Sequence, residues 1–173
     1  MRTAALLKAF DIPHEYVEID LPGKPIRSEG YLSVHPLGRV PALKVNGEVV
    51  VESGAITLHL IDLFGETMKA PEPGTPERAL LYQWLFFLQT TMEPVAMKGF
   101  ISDDKAGIQK EIKDLLQAMQ ARIRGPFALG PEFSVLDVIL FVEFTWYKIM
   151  GFYPQDLEFY DEYLARVAPL VKQ

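Results

Sequence analysis

Glu52-Ser53 are the residues whose types and position point most directly to chemistry. A carboxylate and a hydroxyl stand next to each other just before an apolar, helix-forming run. The first turn of a helix has backbone N–H groups without partners, and the aligned peptide dipoles favour negative charge there. A ligand carboxylate fits such a place. Ser53 also suits the plainer role of N-cap, accepting from the first free amides of the following helix.

The elements that must position this pair are written in the preceding residues. Ala42–Val45 and Val49–Val51 are short apolar runs flanking Asn46-Gly47. That dipeptide tolerates positive φ at both central positions, which predicts a two-residue β-hairpin. Pro41 precedes the first run, and its missing N–H places it at a strand start or an edge.

Composition excludes several functions. The chain has 173 residues, no cysteine and a net charge of −6. The isoelectric point is near 5.1, and nucleic acid or an anionic membrane is not an expected partner for so acidic a chain. Without cysteine there is no disulfide, zinc-thiolate site or cysteine nucleophile, which fits a reducing, cytoplasmic setting. His14, His35 and His59 stand apart, without carboxylate spacing that suggests a metal site. The longest apolar region, Val135–Phe144, is interrupted by Asp137 and Glu143 and is too short to span a bilayer. No signal-peptide layout and no internal repeat is visible.

The remaining elements follow from periodicity and punctuation. Leu6, Leu7 and Phe10 predict a helix over Thr3–Phe10, ended by Ile12-Pro13. His14–Asp20 predicts a short strand, Pro22–Pro25 a turn, Ser28–Val34 a short helix and Gly54–Phe64 a longer one. Gly65, Pro71, Pro73 and Gly74 mark a boundary, beyond which the pattern is entirely helical. Thr75-Pro76-Glu77 starts a helix with Leu80, Leu81, Trp84, Leu85 and Leu88 on one face. Ser102-Asp103-Asp104 starts another, with Ile108, Ile112, Leu115, Leu116, Met119 and Ile123 on one face, stopped by Gly125-Pro126. Ser134-x-x-Asp137 is close to a capping box. The helix it opens is apolar nearly all round, which predicts a central, buried position. Leu157–Val167 is an amphipathic last helix. The order is αβαββα, a Pro/Gly linker, then about four helices.

Taken together, Pro36-Leu37-Gly38, Val40-Pro41-Ala42-Leu43, the Asn-Gly hairpin and Glu52-Ser53 at a helix start resemble the glutathione-binding half of the glutathione S-transferase family. The run Gly130-Pro-Glu-Phe-Ser134-Val-Leu-Asp137 resembles a motif of the family's helical domain, with Leu136 where Ala is usual. His35 stands where Asn is commoner. The resemblance covers nearly the whole chain. It implies a thioredoxin-like glutathione-binding domain over 1–66 and an all-helical domain over 74–173. It further implies a cis Val40–Pro41 bond, a Val40 backbone that hydrogen-bonds the cysteinyl part of glutathione, and Glu52 and Ser53 holding the γ-glutamyl end.

The family's first strand and the loop bearing its thiol-contacting Tyr, Ser or Cys have no counterpart in these residues. Arg2–Leu7 aligns with the interior of the first helix. The chain therefore names no catalytic residue. It is expected to show no conjugating activity by itself and to leave the His14–Asp20 strand displaced or paired with an unexpected strand. Two readings follow from the resemblance. One is an enzyme that conjugates glutathione, as co-substrate and with no other cofactor, to a hydrophobic electrophilic small molecule. The other is a non-catalytic glutathione-binding or dimerising module of the same fold. A homodimer is expected in either case. The resemblance places an electrophile site between the two domains, near Trp84, Phe87 and Met92, while such a stripe on a helix also reads as plain core.

Overall fold

The structure, a computed structural model, describes residues 2–19 and 28–171. The chain opens with α1 (Arg2–Ala9) and the single-turn α2 (Glu29–Leu32). The hairpin follows as β1 (Ala42–Val45) and β2 (Glu48–Val51), paired antiparallel from Ala42 opposite Val51 to Val45 opposite Glu48. Asn46 and Gly47 take φ of 50° and 86°, the positive pair that a twist-matched two-residue turn needs. The Val40–Pro41 bond is cis. The helix α3 (Ser53–Phe64) leaves the hairpin directly.

The helical half begins with α4 (Pro76–Phe87), where the Thr75 hydroxyl accepts from the Arg78 N–H at 3.2 Å and Pro76 sits in the first turn. The helix continues through one π-helical segment, Leu88–Met92, into α5 (Glu93–Lys98). Next is α6 (Lys105–Met119), capped by the Asp104 carboxylate accepting from Gly107 N–H at 2.8 Å. A 3₁₀ turn over Gln120–Arg122 follows, so Ile123 lies just past the helix and not on its face. The long α7 (Val135–Met150) ends at Gly151, whose left-handed φ of 72° closes the helix. Then come α8 (Glu158–Val167) and a 3₁₀ turn over Ala168–Leu170. No helix of the described residues is long and apolar enough to cross a membrane.

The core runs through both halves without a break. Leu6 and Leu7 of α1, Ile56, Leu60 and Ile61 of α3, Leu81 and Trp84 of α4 and Val138 to Leu140 of α7 are all buried in one cluster. As expected, α7 is central: Val135, Leu136, Val138, Ile139, Leu140, Phe144 and Tyr147 are fully enclosed. Trp84 and Met92 are fully enclosed and Phe87 is packed against the same cluster, so this stripe is core.

One expected element is missing. Residues 14–19 form no strand, and Asp20 and the turn at Pro22–Pro25 lie outside the described residues. The sheet of the described residues is the β1–β2 pair alone. A strand is held by its ladder, and no backbone group of the described residues is hydrogen-bonded to the backbone of 14–19. Tyr16 and Val17 accordingly stand 64% and 65% exposed.

Candidate functional site

The hairpin and α3 meet at Glu52, and the geometry there differs from a simple capped helix start. Glu52, not Ser53, occupies the N-cap position, with φ 69° and ψ 118°. Ser53 is the first helical residue, and its hydroxyl caps nothing. A non-glycine residue at this φ costs of order 1–3 kcal/mol, and such strain clusters where a site requires it. The Glu52 carboxylate is exposed and has no partner among the described residues. On the adjoining edge, the Tyr31 hydroxyl donates to the Arg39 carbonyl at 2.6 Å and fixes the approach to Val40 and Pro41. The N–H and C=O of half-buried Val40 have no hydrogen-bond partner among the described residues.

Ser53 is engaged from behind. Its hydroxyl accepts from Arg2 Nη1 at 3.2 Å and lies 3.2 Å from the Gln89 amide. The groups facing that amide are the Arg2 guanidinium, the Ser53 hydroxyl and the Gly54 N–H. Its oxygen must therefore be the atom turned toward them, at 3.1, 3.2 and 2.9 Å. Gln89 belongs to the π-helical segment between α4 and α5. The wider turn shifts the register of the helix, and such segments recur at functional sites. Gly54 makes the contact possible, since a Cβ there would come within 2.4 Å of the Gln89 side-chain amide.

Arg2 joins this corner to the helical half. Its Nη2 donates to Glu93 Oε1 and to Glu143 Oε2, both at 2.6 Å. Arg2 and Glu143 are 7% and 6% exposed, so one buried guanidinium holds two carboxylates. Burial disfavours the Arg2 charge, yet Glu143 and Glu93 outweigh it and hold the guanidinium more firmly protonated than usual. Burial, and after it the charge of Glu143, pushes the Glu93 carboxyl above its ordinary range, with Arg2 pulling the other way. The Tyr147 hydroxyl is buried beside this cluster and is pushed up by burial and then by Glu143.

No motif in the sequence marks Arg2, Gln89 or Glu93. The usable signal was Glu143, an acid inside a helix otherwise apolar all round, since a buried charge must be paired. Among the described residues, no group of three His, Cys, Asp or Glu side chains could hold a metal ion.

Comparison with known proteins fits this geometry. The sequence pattern of the glutathione S-transferase N-terminal domain matches residues 1–62. Glutathione S-transferase 1 of Dianthus caryophyllus is 32% identical over 154 residues, covering 81% of this chain and 67% of its own length. The chain belongs to the glutathione S-transferase family. Among solved structures, the beta-class glutathione S-transferase of Sphingomonas chungbukensis superposes with a TM-score of 0.81 at 29% identity, over 98% of this chain and 89% of that one. A sphingomonad glutathione S-transferase complexed with glutathione matches with a TM-score of 0.81 at 28% identity, again over 98% and 89% of the two chains. The fold is thus that of the glutathione S-transferases: a thioredoxin-like half followed by a helical half.

Proposed function

We propose that this glutathione S-transferase-family chain binds glutathione along the edge from Val40 to Ser53. The observation that carries the reading is the start of α3, where a strained Glu52 presents an unpartnered carboxylate beside the Ser53 hydroxyl at the helix N-terminus. The γ-glutamyl end of glutathione carries an ammonium and a carboxylate on one carbon. Glu52 complements the ammonium, and Ser53 with the α3 N-terminus complements the carboxylate. Val40 offers an N–H and a C=O to the cysteinyl unit, as an extra strand residue would. Pro41 fixes the direction of that edge.

In the family's chemistry the glutathione thiolate attacks an electrophilic carbon, forming a C–S bond as the leaving group departs. The residues assigned here bind and orient the tripeptide; they do not activate its sulfur. Binding without turnover is the outcome expected of the 173-residue chain when calorimetry with glutathione is paired with a conjugation assay on a generic electrophile. Turnover would favour the enzyme reading, and neither binding nor turnover would remove both.

Ser53→Ala tests the assignment itself. Loss of one hydrogen bond to a charged group, about 1.5–3 kcal/mol, lowers glutathione affinity roughly tenfold to a hundredfold. Calorimetry of both proteins reads this directly. Unchanged affinity would leave Ser53 as an internal joint between Arg2 and Gln89.

The chain is also proposed to form a homodimer through α3 and α4. Leu63 on α3 remains 39% exposed, and both helices carry more apolar residues than one core seam uses. Sedimentation at micromolar concentration should give twice the 19.6 kDa chain mass. A monomer would count against this interface.

A further inference from the structure

The Ser53 hydroxyl has one proton to give, and the groups around it decide where that proton goes. Arg2 Nη1, 3.2 Å away, can only donate, so the hydroxyl oxygen accepts from it. The Gln89 amide oxygen, also 3.2 Å away, can only accept, so the proton points to Gln89. The same oxygen takes the Gly54 N–H at 2.9 Å and Arg2 Nη1 at 3.1 Å. A carbonyl oxygen has two lone pairs, and here three donors converge on it. The bond from Ser53 is the longest of the three, and it is the one that a competing acceptor can take over.

Gln89 is delivered to this place by the π-helical segment Leu88–Met92. Pro94, just past it in α5, has no N–H with which to close an α-helical bond to the Thr90 carbonyl, which favours the wider turn. Gly54 is buried and Ser53 and Gln89 are half-buried, so the contact lies inside the corner and not across open solvent. A neutral acceptor thus already occupies the hydroxyl and one amide at the helix start, the donors that suit a ligand carboxylate.

We infer that Gln89 restrains glutathione binding: its amide oxygen holds the Ser53 proton in the free protein, and the γ-glutamyl carboxylate must draw that proton away to bind. The exchange is downhill, because a hydrogen bond to a carboxylate is roughly twice as strong as one to a neutral amide. Arg2 keeps donating to the hydroxyl oxygen while the proton turns. The ligand still forfeits one neutral hydrogen bond, a factor of roughly three to ten in affinity. The inference rests on the glutathione reading above and adds a sign to it: the side chain that touches Ser53 weakens binding.

Calorimetry with glutathione on the parent chain and its variants tests this. Gln89→Met, similar in length and without an acceptor, should bind roughly three- to tenfold more tightly than the parent. Gln89→Glu keeps an acceptor at the hydroxyl and charges it, so it should bind roughly threefold more weakly or worse. In a Ser53→Ala background, Gln89→Met should leave the affinity within about twofold, because no proton remains to be released. A Gln89 that only supports the structure would give weaker binding in both single variants. Weaker or unchanged binding by Gln89→Met, or a gain that survives in the Ser53→Ala background, would overturn the inference and leave glutathione binding in place. Gln89→Glu decides the matter if the methionine variant does not fold: affinity equal to or above the parent's overturns it. No binding by the parent would remove the glutathione reading and this inference with it.

Discussion

Arg2→Met is expected to destabilise the protein by about 3–5 kcal/mol, the range for removing one partner from a buried ion pair. The cost comes from what stays behind. Glu93 and Glu143, each 2.6 Å from the guanidinium, would be left close together with no cation between them. Methionine has similar length and fills the volume, so a cavity does not account for the loss. The dependence on pH distinguishes this origin from simple misfolding. The Glu93 carboxyl already sits above its ordinary range, first through burial and then through Glu143, and Arg2 is the group that lowers it. Without Arg2 it rises further, so the folded variant binds protons more tightly than the unfolded chain. Stability from that group is present at low pH and is lost as pH rises through the folded value. The gap in melting temperature between variant and parent should therefore narrow as pH falls from 7 toward 5. A gap that is constant with pH would mean that the two carboxylates are not the source.

Asp137→Ala should cost at least about 3 kcal/mol, read from urea denaturation with an unchanged slope. The carboxylate accepts from Ala128 N–H at 2.8 Å, Ser134 N–H at 2.8 Å, Ser134 Oγ at 2.9 Å and Tyr163 Oη at 2.7 Å. It is fully enclosed, and burial holds its carboxyl above the usual range despite those four donors. Alanine would leave the donors without an acceptor in a space that excludes water. Three segments would loosen together: the loop at Ala128, the first turn of α7 and the α8 face bearing Tyr163. Tyr163→Phe removes one donor and keeps the rest, so its cost should be clearly smaller. If both variants cost the same, Asp137 acts through Tyr163 alone.

The sequence disclosed features whose physics is local. Asn46-Gly47 dictated its turn, Thr75-Pro76 its helix start, and Ser134-x-x-Asp137 the bond from Ser134 N–H to the Asp137 carboxylate. The cis bond at Pro41 came with the resemblance and is present. What failed was decided at a distance. Residues 14–19 have the composition of a strand, but a strand exists only beside another. Glu52 and Ser53 differ by one position in which residue starts the helix, and only the φ of 69° decides it. Arg2 is 91 and 141 residues from Glu93 and Glu143, so no window of sequence contains the trio. Asp137 and Glu143 were visible as acids in an apolar helix, which said that partners must exist but not which ones.

The position of α1 has a mechanical consequence. Along the chain it belongs to the half that carries the hairpin, yet its side chains share a core with both α3 and α7, and Arg2 is fastened to α5 and α7. A hinge requires a plane across which few bonds run, and here that plane is crossed by a helix and a charged clasp. The halves therefore cannot swing apart to admit a ligand. Whatever binds along the Val40–Ser53 edge meets a surface already set, and its arrival should be limited by diffusion and not by opening.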